Sequence, residues 1–382
     1  MHDKIRFFST FLCMAALLAA CTQISPPQEP TGEAIPGQYI VALQPKLGVQ
    51  ATGTLEPTRV AASLGVQNVQ TLGVINGFVA ANVDRAALSR LEADARVRYV
   101  EPDWVVKLSG QQSRPSWGLD RIDQRNLPLN RRYSYRATGR GVTAYVIDSG
   151  IRGGSEFGSR LVGGVTAIDD GRGYTDCYGH GTHVAGTLGG ATYGVAKNVK
   201  LMAVRVFGCN GESSNSAVIG GIDWVNFNHV TPAVANLSLE SPPSRAIDEA
   251  VAALVADKVT VVVAAGNEGS DACDVSPARA PEVLTVGATD RRDDLWDGSN
   301  RGRCVDVFAP GKDVTSAGLR GSLTMTGTSM ASPHAAGVAA LILEKNRSAS
   351  PARVMQLLEA RATGGKLHNT AGAPNKLLYS GY

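Results

Sequence analysis

Three polar residues stand where they could carry out acyl transfer together: Asp148, His180 and Ser329. A serine hydroxyl at its own pKa is a poor nucleophile, so it needs a neighbouring base, and a histidine base needs a carboxylate that orients its ring. Each residue alone has a simpler explanation, since an aspartate after a strand usually forms a turn and a serine before a helix usually caps it. A histidine next to a disulfide cysteine is usually structural. The three therefore carry chemistry only if the fold brings them together.

The segments around these residues predict how they are positioned. Asp148 directly follows the apolar run Val142–Ile147, which places a carboxylate at the end of a strand. His180 lies among glycines that leave room for a substrate. Ser329 stands where an Ala-rich helix begins, and the N–H groups and dipole of such a helix would face a developing oxyanion.

From Trp117 onward, apolar runs alternate with amphipathic segments. The runs predict buried strands at Val142–Ile147, Val199–Phe207, Val234–Leu239, Val259–Ala265 and Val283–Val286. Helices are predicted near Thr182, Ser214, Arg245, Ala331 and Ala352. This alternation predicts an α/β fold with a mainly parallel sheet flanked by helices on both faces, in which sites form at the carboxyl ends of strands.

A smaller α+β unit precedes this region, over residues 36–107. Gln38–Leu43 alternates apolar and polar residues like a half-buried strand, and Val97–Val100 is predicted as a second strand. Between them, Asp84 could cap a helix over Arg85–Ala95. On its own, this unit has no Ser/His/Asp or metal constellation, so its simplest interpretation is an interaction module.

The first residues are typical of an export signal. His2, Lys4 and Arg6 precede an apolar run from Phe7 to Ala20, which is too short to span a bilayer. We therefore expect residues 1–20 to be a signal peptide, and the Pro-rich residues 21–35 to be a linker. Leu18-Ala19-Ala20-Cys21 is similar to a lipobox, in which Cys21 would carry a lipid; ordinary signal cleavage beside an incidental cysteine is the alternative.

Composition narrows the class of function. The chain is 43% apolar and its 43 glycines follow no period, which indicates a globular protein with many tight turns. A net charge of +3 with acids and bases interspersed provides no basic stripe, so we expect no nucleic-acid partner.

Four cysteines remain after the leader: Cys177, Cys209, Cys273 and Cys304. An even number in an exported chain implies disulfides, and four cysteines allow three connectivities. Sequence order favours the two local pairs, Cys177 with Cys209 and Cys273 with Cys304. Zinc is the rival interpretation, but no CxxC spacing supports it.

The motifs around the three polar residues, together with Ala264-Ala265-Gly266-Asn267-Glu268-Gly269, resemble the four signature blocks of the subtilase family of serine peptidases. They also occur in the order Asp, His, Ser that is typical of subtilisin. The resemblance implies that Asp148 orients His180, that His180 acts as base and then acid, and that Ser329 forms the acyl-enzyme. It also implies that Asn267 donates its side-chain amide to the oxyanion.

Within the family, Trp117–Gln124 and the cysteine positions resemble the proteinase K branch and its aqualysin-like members. This likeness covers residues 110–382, the expected peptidase domain. Residues 36–107 then resemble the inhibitor-type propeptide, which assists folding and occupies the cleft until it is cut. Self-cleavage is expected between Val106 and Arg114, and would free the catalytic domain from any lipid anchor. The implied product is a secreted, monomeric endopeptidase that acts on proteins and peptides.

The resemblance also implies structural calcium at two places. The Pro281 and Val283 carbonyls with the Asp306 carboxylate are similar to one family site, and oxygen donors of this kind suit calcium. A second donor set resembles a site of heat-stable relatives: Asp120, Asp123, Gln124 and Asn130. Surface carboxylates that cap turns are the alternative for both. His180 and His183 could be imagined as a zinc pair, but no third ligand accompanies them.

Substrates of the family add as a strand between two enzyme segments, a backbone mode that gives broad specificity. The matching segments here are Gly211-Glu212-Ser213 and Ser238-Leu239-Glu240. The second departs from the family's usual Ser-Leu-Gly-Gly, because Glu240-Ser241-Pro242-Pro243 replaces the glycines. One hypothesis is that Glu212 and Glu240 favour basic residues near the cut.

Two functions from different classes follow. The first is an active secreted endopeptidase of broad specificity, and the second is a catalytically silent surface lipoprotein that binds proteins through a retained propeptide. The intact Asp148, His180 and Ser329 favour the first. Conversion of the precursor to a mature form distinguishes the two.

Overall fold

The computed structural model describes residues 34–44, 55–107, 116–368, 370 and 372–381. The expected signal peptide, Cys21 and nearly all of the expected linker lie outside these residues, and so does most of the segment where self-cleavage is expected. No helix within the described ranges combines the length and the apolar character that crossing a membrane requires.

A nine-stranded sheet forms the centre of the larger region. Its strands are β5 (Thr143–Asp148), β6 (Leu161–Thr166), β7 (Lys200–Arg205), β9 (Ala233–Leu237), β10 (Val259–Ala264), β11 (Leu284–Thr289), β12 (Val307–Pro310), β15 (Thr363–Gly364) and β16 (Lys376–Leu377). They lie in the order β15-β16-β12-β11-β10-β9-β5-β7-β6. All neighbouring pairs are parallel except β15 and β16, so the mainly parallel sheet predicted from the sequence is confirmed.

Helices cover both faces of this sheet. They are α3 (Trp117–Ile122), α4 (His180–Gly189), α5 (Asn215–Asn228), α6 (Arg245–Ala256), α7 (Thr328–Lys345) and α8 (Pro351–Arg361). Along β5, Ala144 and Val146 join the core that contains α4, α7 and α8, whereas Tyr145 and Ile147 join the core that contains α5 and α6. The central strands are therefore largely apolar along both faces, because both faces are buried.

Short polar side chains fix where the helices begin. Ser214 Oγ accepts a hydrogen bond from Ala217 N at 3.2 Å, and Ser244 Oγ accepts one from Ile247 N at 3.3 Å. Helix α7 is buried along nearly its whole length, which its small residues permit. At Gly337, for example, a Cβ would lie 2.5 Å from Val195 Cβ.

Residues 34–44 and 55–107, called here the N-terminal region, form a separate small layer. Its elements are β1 (Ala34–Leu43), α1 (Leu55–Leu64), β2 (Gln67–Leu72), β3 (Gly77–Ala81), α2 (Arg85–Ala93) and β4 (Val97–Lys107). The strands form an antiparallel sheet, and α1 and α2 pack on one face of it. The opposite face of the sheet contributes Ile40, Leu72 and Val79 to the core that contains α5 and α6.

The end of β4 joins the N-terminal region to the larger region through the backbone. Val105, Val106 and Lys107 pair antiparallel with β8 (Glu212–Ser214), which becomes the fifth strand of the small sheet. A further hairpin, β13 (Val314–Ala317) with β14 (Ser322–Met325), precedes α7.

Candidate active site

Asp148 and His180 form a buried hydrogen-bonded pair. Asp148 is the last residue of β5 and His180 is the first residue of α4. His180 Nδ1 lies 2.9 Å from Asp148 Oδ1 and 3.1 Å from Oδ2, and the side chains are 1% and 0% exposed. Because the carboxylate accepts a hydrogen bond from Nδ1–H, the neutral ring carries its lone pair on Nε2. Among the described residues this buried Nε2 has no hydrogen-bond partner, so it can accept a proton.

A second carboxylate, which sequence reasoning missed, holds the loop before His180 in place. Asp176 is 1% exposed. Its Oδ1 accepts hydrogen bonds from Ser149 Oγ and Gly179 N, and its Oδ2 accepts them from Thr182 N and Oγ1, at 2.6 to 2.9 Å. The only available signal was an acidic residue shortly before a histidine motif. Asp176 therefore ties the turn after β5 to the first turn of α4.

His183 faces away from this pair. Its Nε2 lies 3.0 Å from the Val314 carbonyl oxygen, and burial lowers its pKa to about 3, so the ring is neutral. In the described parts of the chain, the one group of three histidine, cysteine, aspartate or glutamate side chains close enough to share a metal is Asp170 with Cys177 and Cys209, whose sulfurs are already joined in a disulfide. The geometry offers no support for a zinc pair at His180 and His183.

Ser329 is the second residue of α7 and lies against the end of β9. Its Oγ donates to the Ser238 carbonyl oxygen at 3.2 Å, and Ser238 Oγ donates to the Ser329 carbonyl oxygen at 2.9 Å. The hydroxyl is thus at the carboxyl end of a central strand and at the N-terminus of a buried helix. That position combines a strand-end site with the positive end of a helix dipole.

Asn267 follows β10, and the start of α7 orients its side chain. Its Oδ1 accepts hydrogen bonds from Thr328 N at 2.8 Å and from Thr328 Oγ1 at 3.1 Å. A backbone N–H can only meet the amide oxygen, so the amide nitrogen must be on the other side. Asn267 can therefore present N–H donors beside Ser329.

The two expected substrate segments flank these residues. Glu212 and Ser213 belong to β8, and Gly211 precedes this strand. One edge of β8 is paired with β4. The Glu212 side chain is exposed and accepts from Asn210 Nδ2 at 2.7 Å. Leu239 is fully buried. Glu240 turns back toward β10, and its Oε2 accepts from Asn267 N at 2.9 Å.

Burial raises the pKa of Glu240 to about 7. The negative charge of Glu268 also raises this pKa, whereas the hydrogen bonds from Asn267 lower it. The carboxyl group therefore carries a proton in part of the population near neutral pH. The sequence could not show this, because it depends on contacts between segments that are far apart along the chain.

Two disulfides are present, with the local pairing. Cys177–Cys209 joins the loop before α4 to the turn before β8, and Cys273–Cys304 joins two loops beyond β10 and β11. The first disulfide packs on Arg205, whose Nη2 lies 3.4 Å from Cys177 Sγ. It thereby links the segment that carries His180 to the strand that pairs with β4.

Asp306 belongs to the first calcium set. Its Oδ2 accepts a hydrogen bond from Thr285 N at 2.8 Å. Burial raises the pKa of Asp306 to about 6. Pro281 and Val283 lie in the loop that leads into β11, which pairs with the strand after Asp306. The carboxylate and this loop are thus at the same end of adjacent strands.

In the second calcium set, Asp120 and Gln124 converge on one loop. Asp120 accepts from the N–H groups of residues 130–132 at 2.8 to 3.4 Å, and Gln124 Oε1 accepts from Asn130 N at 3.2 Å. Asp123 Oδ2 accepts from Ser134 N at 2.5 Å, while its Oδ1 is buried without a partner among the described residues. Most of the oxygen donors in this set already accept hydrogen bonds, and Asp123 Oδ1 is the buried oxygen that is left to bind a cation.

Comparison with known proteins agrees with this geometry. The model of the subtilase family matches residues 139–377. "Alkaline serine exoprotease A" of Vibrio alginolyticus is 47% identical over 367 residues, which cover 92% of this chain and 68% of that protein. "Extracellular serine proteinase" of Thermus sp. (strain Rt41A) is 47% identical over 370 residues, which cover 91% of this chain and 90% of that protein.

Among solved structures, the crystal structure of a cold adapted subtilisin-like serine proteinase matches with a TM-score of 0.68 and 51% identity, over 70% of this chain and 99% of that one. The family predicted from the four motifs is confirmed. The chain belongs to the subtilase family and is a serine endopeptidase.

Proposed function

We propose that Asp148, His180 and Ser329 form the catalytic triad of this endopeptidase. Ser329 Oγ attacks the carbonyl of the peptide bond while His180 Nε2 takes its proton. Asp148 holds the ring and stabilises the imidazolium that forms. His180 then gives the proton to the leaving amine, and water releases the acyl group by the same route. The observation that carries this proposal is the buried 2.9 Å pair of His180 Nδ1 with Asp148, which leaves Nε2 without a partner among the described residues.

The negative oxygen that forms during the attack is held by Asn267 and by the Ser329 N–H. Support comes from the Thr328 contacts, which fix the amide of Asn267 with its oxygen turned away from the site. In subtilisin, a relative of this chain in which this effect is known, loss of the equivalent donor costs about 100- to 1000-fold in turnover.

Substrate enters as an extended strand between Gly211-Glu212-Ser213 and Ser238-Leu239-Glu240. The support is the antiparallel pairing of Val105–Lys107 with β8, because it occupies one of these two edges in the way that a substrate strand would. Main-chain pairing of this kind accepts many sequences, which gives broad specificity.

Residues 36–107 act as an inhibitor-type propeptide, and the chain cuts itself between Val106 and Arg114. Three carboxylates support this role, because each one bridges the N-terminal region and the larger region. Asp103 accepts from Ser216 N at 2.9 Å, and Asp223 accepts from Gly73 N at 2.8 Å. The third, Glu101, lies at the N-terminus of α6.

The enzyme binds structural calcium. Asp306 suits the ion because a buried carboxylate with a raised pKa gains a partner when a cation binds, and the Pro281 and Val283 carbonyls lead into the neighbouring strand. At the second set, Asp120, Gln124 and Asn130 surround Asp123, whose buried Oδ1 lacks a partner among the described residues. Calcium at these places supplies stability and takes no part in the reaction.

The enzyme is exported and acts outside the cell as a monomer. Its relatives include a protein named extracellular serine proteinase, and residues 1–20 have the features of a signal peptide. Residues 21–35 form the linker. Before processing, a lipid on Cys21 could hold the precursor at the cell envelope.

The test is conversion of the recombinant precursor. The wild type should convert to a product spanning about residues 110–382 and hydrolyse peptides, and Ser329→Ala should stay at full length under the same conditions. A wild type that remains unprocessed and inactive would instead favour a silent, protein-binding lipoprotein. Mixing active enzyme with the Ser329→Ala precursor then shows whether cleavage also occurs between molecules.

A further inference from the structure

Glu240 is an acidic residue at a place where the family usually has glycine. It ends the segment Ser238-Leu239-Glu240, and the rigid pair Pro242-Pro243 follows. A glycine there would leave open space beside the segment, whereas the glutamate brings a side chain of five heavy atoms. What that side chain occupies determines how the cleft is shaped.

The side chain crosses from its own segment to the one that carries Asn267. Glu240 Oε2 accepts from Asn267 N at 2.9 Å. It also lies against Gly266, since a Cβ built on Gly266 would be 2.5 Å from Oε2. The same Cβ would be 2.2 Å from Asn300 Nδ2. The carboxyl group is thus packed on the Gly266–Asn267 backbone and spans the gap between the two segments.

This gap is where a substrate side chain would have to go. During the reaction, the attacked carbonyl lies between Ser329 Oγ and the amide of Asn267, and Ser329 Oγ is itself 3.2 Å from the Ser238 carbonyl oxygen. The residue that owns the attacked carbonyl, called P1, therefore has its side chain two bonds away from a carbon that is flanked by residues 238–240 and 265–267. The Glu240 side chain, which contacts Gly266 and Asn267, lies between these two segments.

The contacts of Glu240 indicate that it selects substrate side chains by their size and not by their charge. The carboxyl is satisfied by the Asn267 N–H, and the charged group that acts on it among the described residues is Glu268, which has the same sign. Burial keeps part of the population protonated near neutral pH. The segment that follows Lys107, Leu-Ser-Gly-Gln-Gln-Ser at residues 108–113, contains no basic residue and is rich in small ones.

We propose that Glu240 fills most of the P1 pocket and restricts this endopeptidase to peptide bonds that follow small, uncharged residues such as alanine, serine and glycine. This inference rests on the proposed triad and cleft, and it replaces the hypothesis that Glu240 favours basic residues at P1. Glu212 is exposed and hydrogen-bonded to Asn210, and it has no part in the selection.

The test uses wild type, Glu240→Ala and Glu240→Gln, each expressed as the full-length precursor and allowed to process itself. The substrates are four-residue p-nitroanilides that differ only at P1: Ala, Phe or Lys. The wild-type kcat/KM should be at least about 10-fold higher for Ala than for Phe, as a filled pocket requires. Glu240→Ala should raise the Phe/Ala ratio at least about 10-fold. Glu240→Gln, which keeps the shape, should leave that ratio near the wild-type value.

Glu268→Gln is the matched control, because it removes an exposed neighbouring charge without opening the pocket, and its Phe/Ala ratio should equal that of the wild type. A Phe/Ala ratio that Glu240→Ala does not change would overturn the proposal. So would a wild-type preference for Lys that Glu240→Gln abolishes, since charge would then be the cause. If the wild type cleaves none of the peptides and stays unprocessed, the proposed function itself fails. The Glu240→Gln preparation shows that the site folds even if Glu240→Ala is not processed.

Discussion

Removal of the Glu101 carboxylate should loosen the propeptide about 30-fold. In the structure, this side chain covers the N-terminus of α6: it accepts from Ser244 Oγ at 2.6 Å and from Arg245 N and Ala246 N at 3.0 Å. Glu101→Ala leaves these donors covered but without their acceptor, which costs about 1–3 kcal/mol, and it removes a negative charge from a helix N-terminus, worth about 0.3–1 kcal/mol.

In the wild type, the cost of burying the Glu101 carboxylate offsets part of the stabilisation that its hydrogen bonds provide. Burial raises the pKa of Glu101 even though its three hydrogen bonds lower it. We therefore take about 2 kcal/mol as the net effect, which corresponds to about 30-fold in the dissociation of the cleaved propeptide.

The assay follows the full-length precursor after self-cleavage. The processed mixture is diluted into a chromogenic peptide, and the lag before full activity measures release of the propeptide. The lag should be about 30-fold shorter for Glu101→Ala, whereas Glu92→Ala, an exposed carboxylate on α2 of the same region, should behave like the wild type. A Glu101→Ala lag within about 3-fold of wild type, or an equal effect of Glu92→Ala, would refute the reasoning.

The sign of the pH effect provides a second check. Burial raises the pKa values of Glu101, Asp103 and Asp223 in the docked state. Docking therefore takes up protons, and the docked state loses stability as the pH rises from the ordinary carboxyl range through these raised values. The wild-type lag should accordingly shorten as the pH rises, and Glu101→Ala should show a smaller dependence on pH.

Four further predictions concern the larger region. Asp148→Asn should slow precursor conversion by about 10³- to 10⁴-fold, measured by gel densitometry, and conversion at more than a tenth of the wild-type rate would contradict its role. Replacement of Cys273 and Cys304 by serine should cost about 3–4 kcal/mol, seen as a lower melting temperature in calorimetry of the inactive precursor. Chelation of calcium should lower the melting temperature of the wild type by more than that of Asp306→Asn, which keeps the second calcium set, and equal shifts would argue against a site at Asp306. Because burial raises the pKa of Glu240 to about 7, the unfolding free energy should fall by up to about 3 kcal/mol as the pH rises through 4.5 to 7, and Glu240→Gln should lack this fall in pH-dependent melts.

The order of elements in the larger region could be predicted because its strands are buried on both faces. A run such as Val259–Ala264 is apolar at every position except Thr260, so it stands out without any knowledge of its neighbours. Asp148, His180 and Ser329 could be predicted for a related reason, since each follows or begins such an element. Local patterns suffice where one element determines the position of the residue.

The N-terminal region was predicted less completely. The prediction ends a strand at Val100, but β4 continues to Lys107 through Pro102. Proline cannot donate to a sheet and so usually marks the end of a strand. Here the strand continues because it changes partner: its first part pairs with β1 up to Trp104, and its last three residues pair with β8. That second partner lies more than 100 residues away, and no local pattern reveals it.

The contacts of Asp176 and Glu240 were also beyond the sequence, for the same physical reason. Each is an acidic side chain that accepts a hydrogen bond from a segment far away along the chain: Ser149 Oγ for Asp176, and Asn267 N for Glu240. Composition places acids on surfaces, and only tertiary contact shows that Asp176 is buried and that Glu240 is partly buried.

Carboxylates bind helix N-termini from two parts of this chain. One lies in the larger region and stays after the proposed self-cleavage, whereas two lie in the N-terminal region and leave with the proposed propeptide. Asp176 bonds the first turn of α4 from within the larger region, whereas Asp103 and Glu101 bond the starts of α5 and α6 from the N-terminal region. While the chain folds, these groups supply acceptors for helix ends and so favour the early packing of both helices on a sheet rich in non-local contacts. After cleavage, water can satisfy the same N–H groups once the propeptide leaves. In the proposed mechanism, loss of the propeptide therefore removes a folding aid without leaving buried donors unpaired, and Asp176, which stays beside His180, keeps the proposed site assembled.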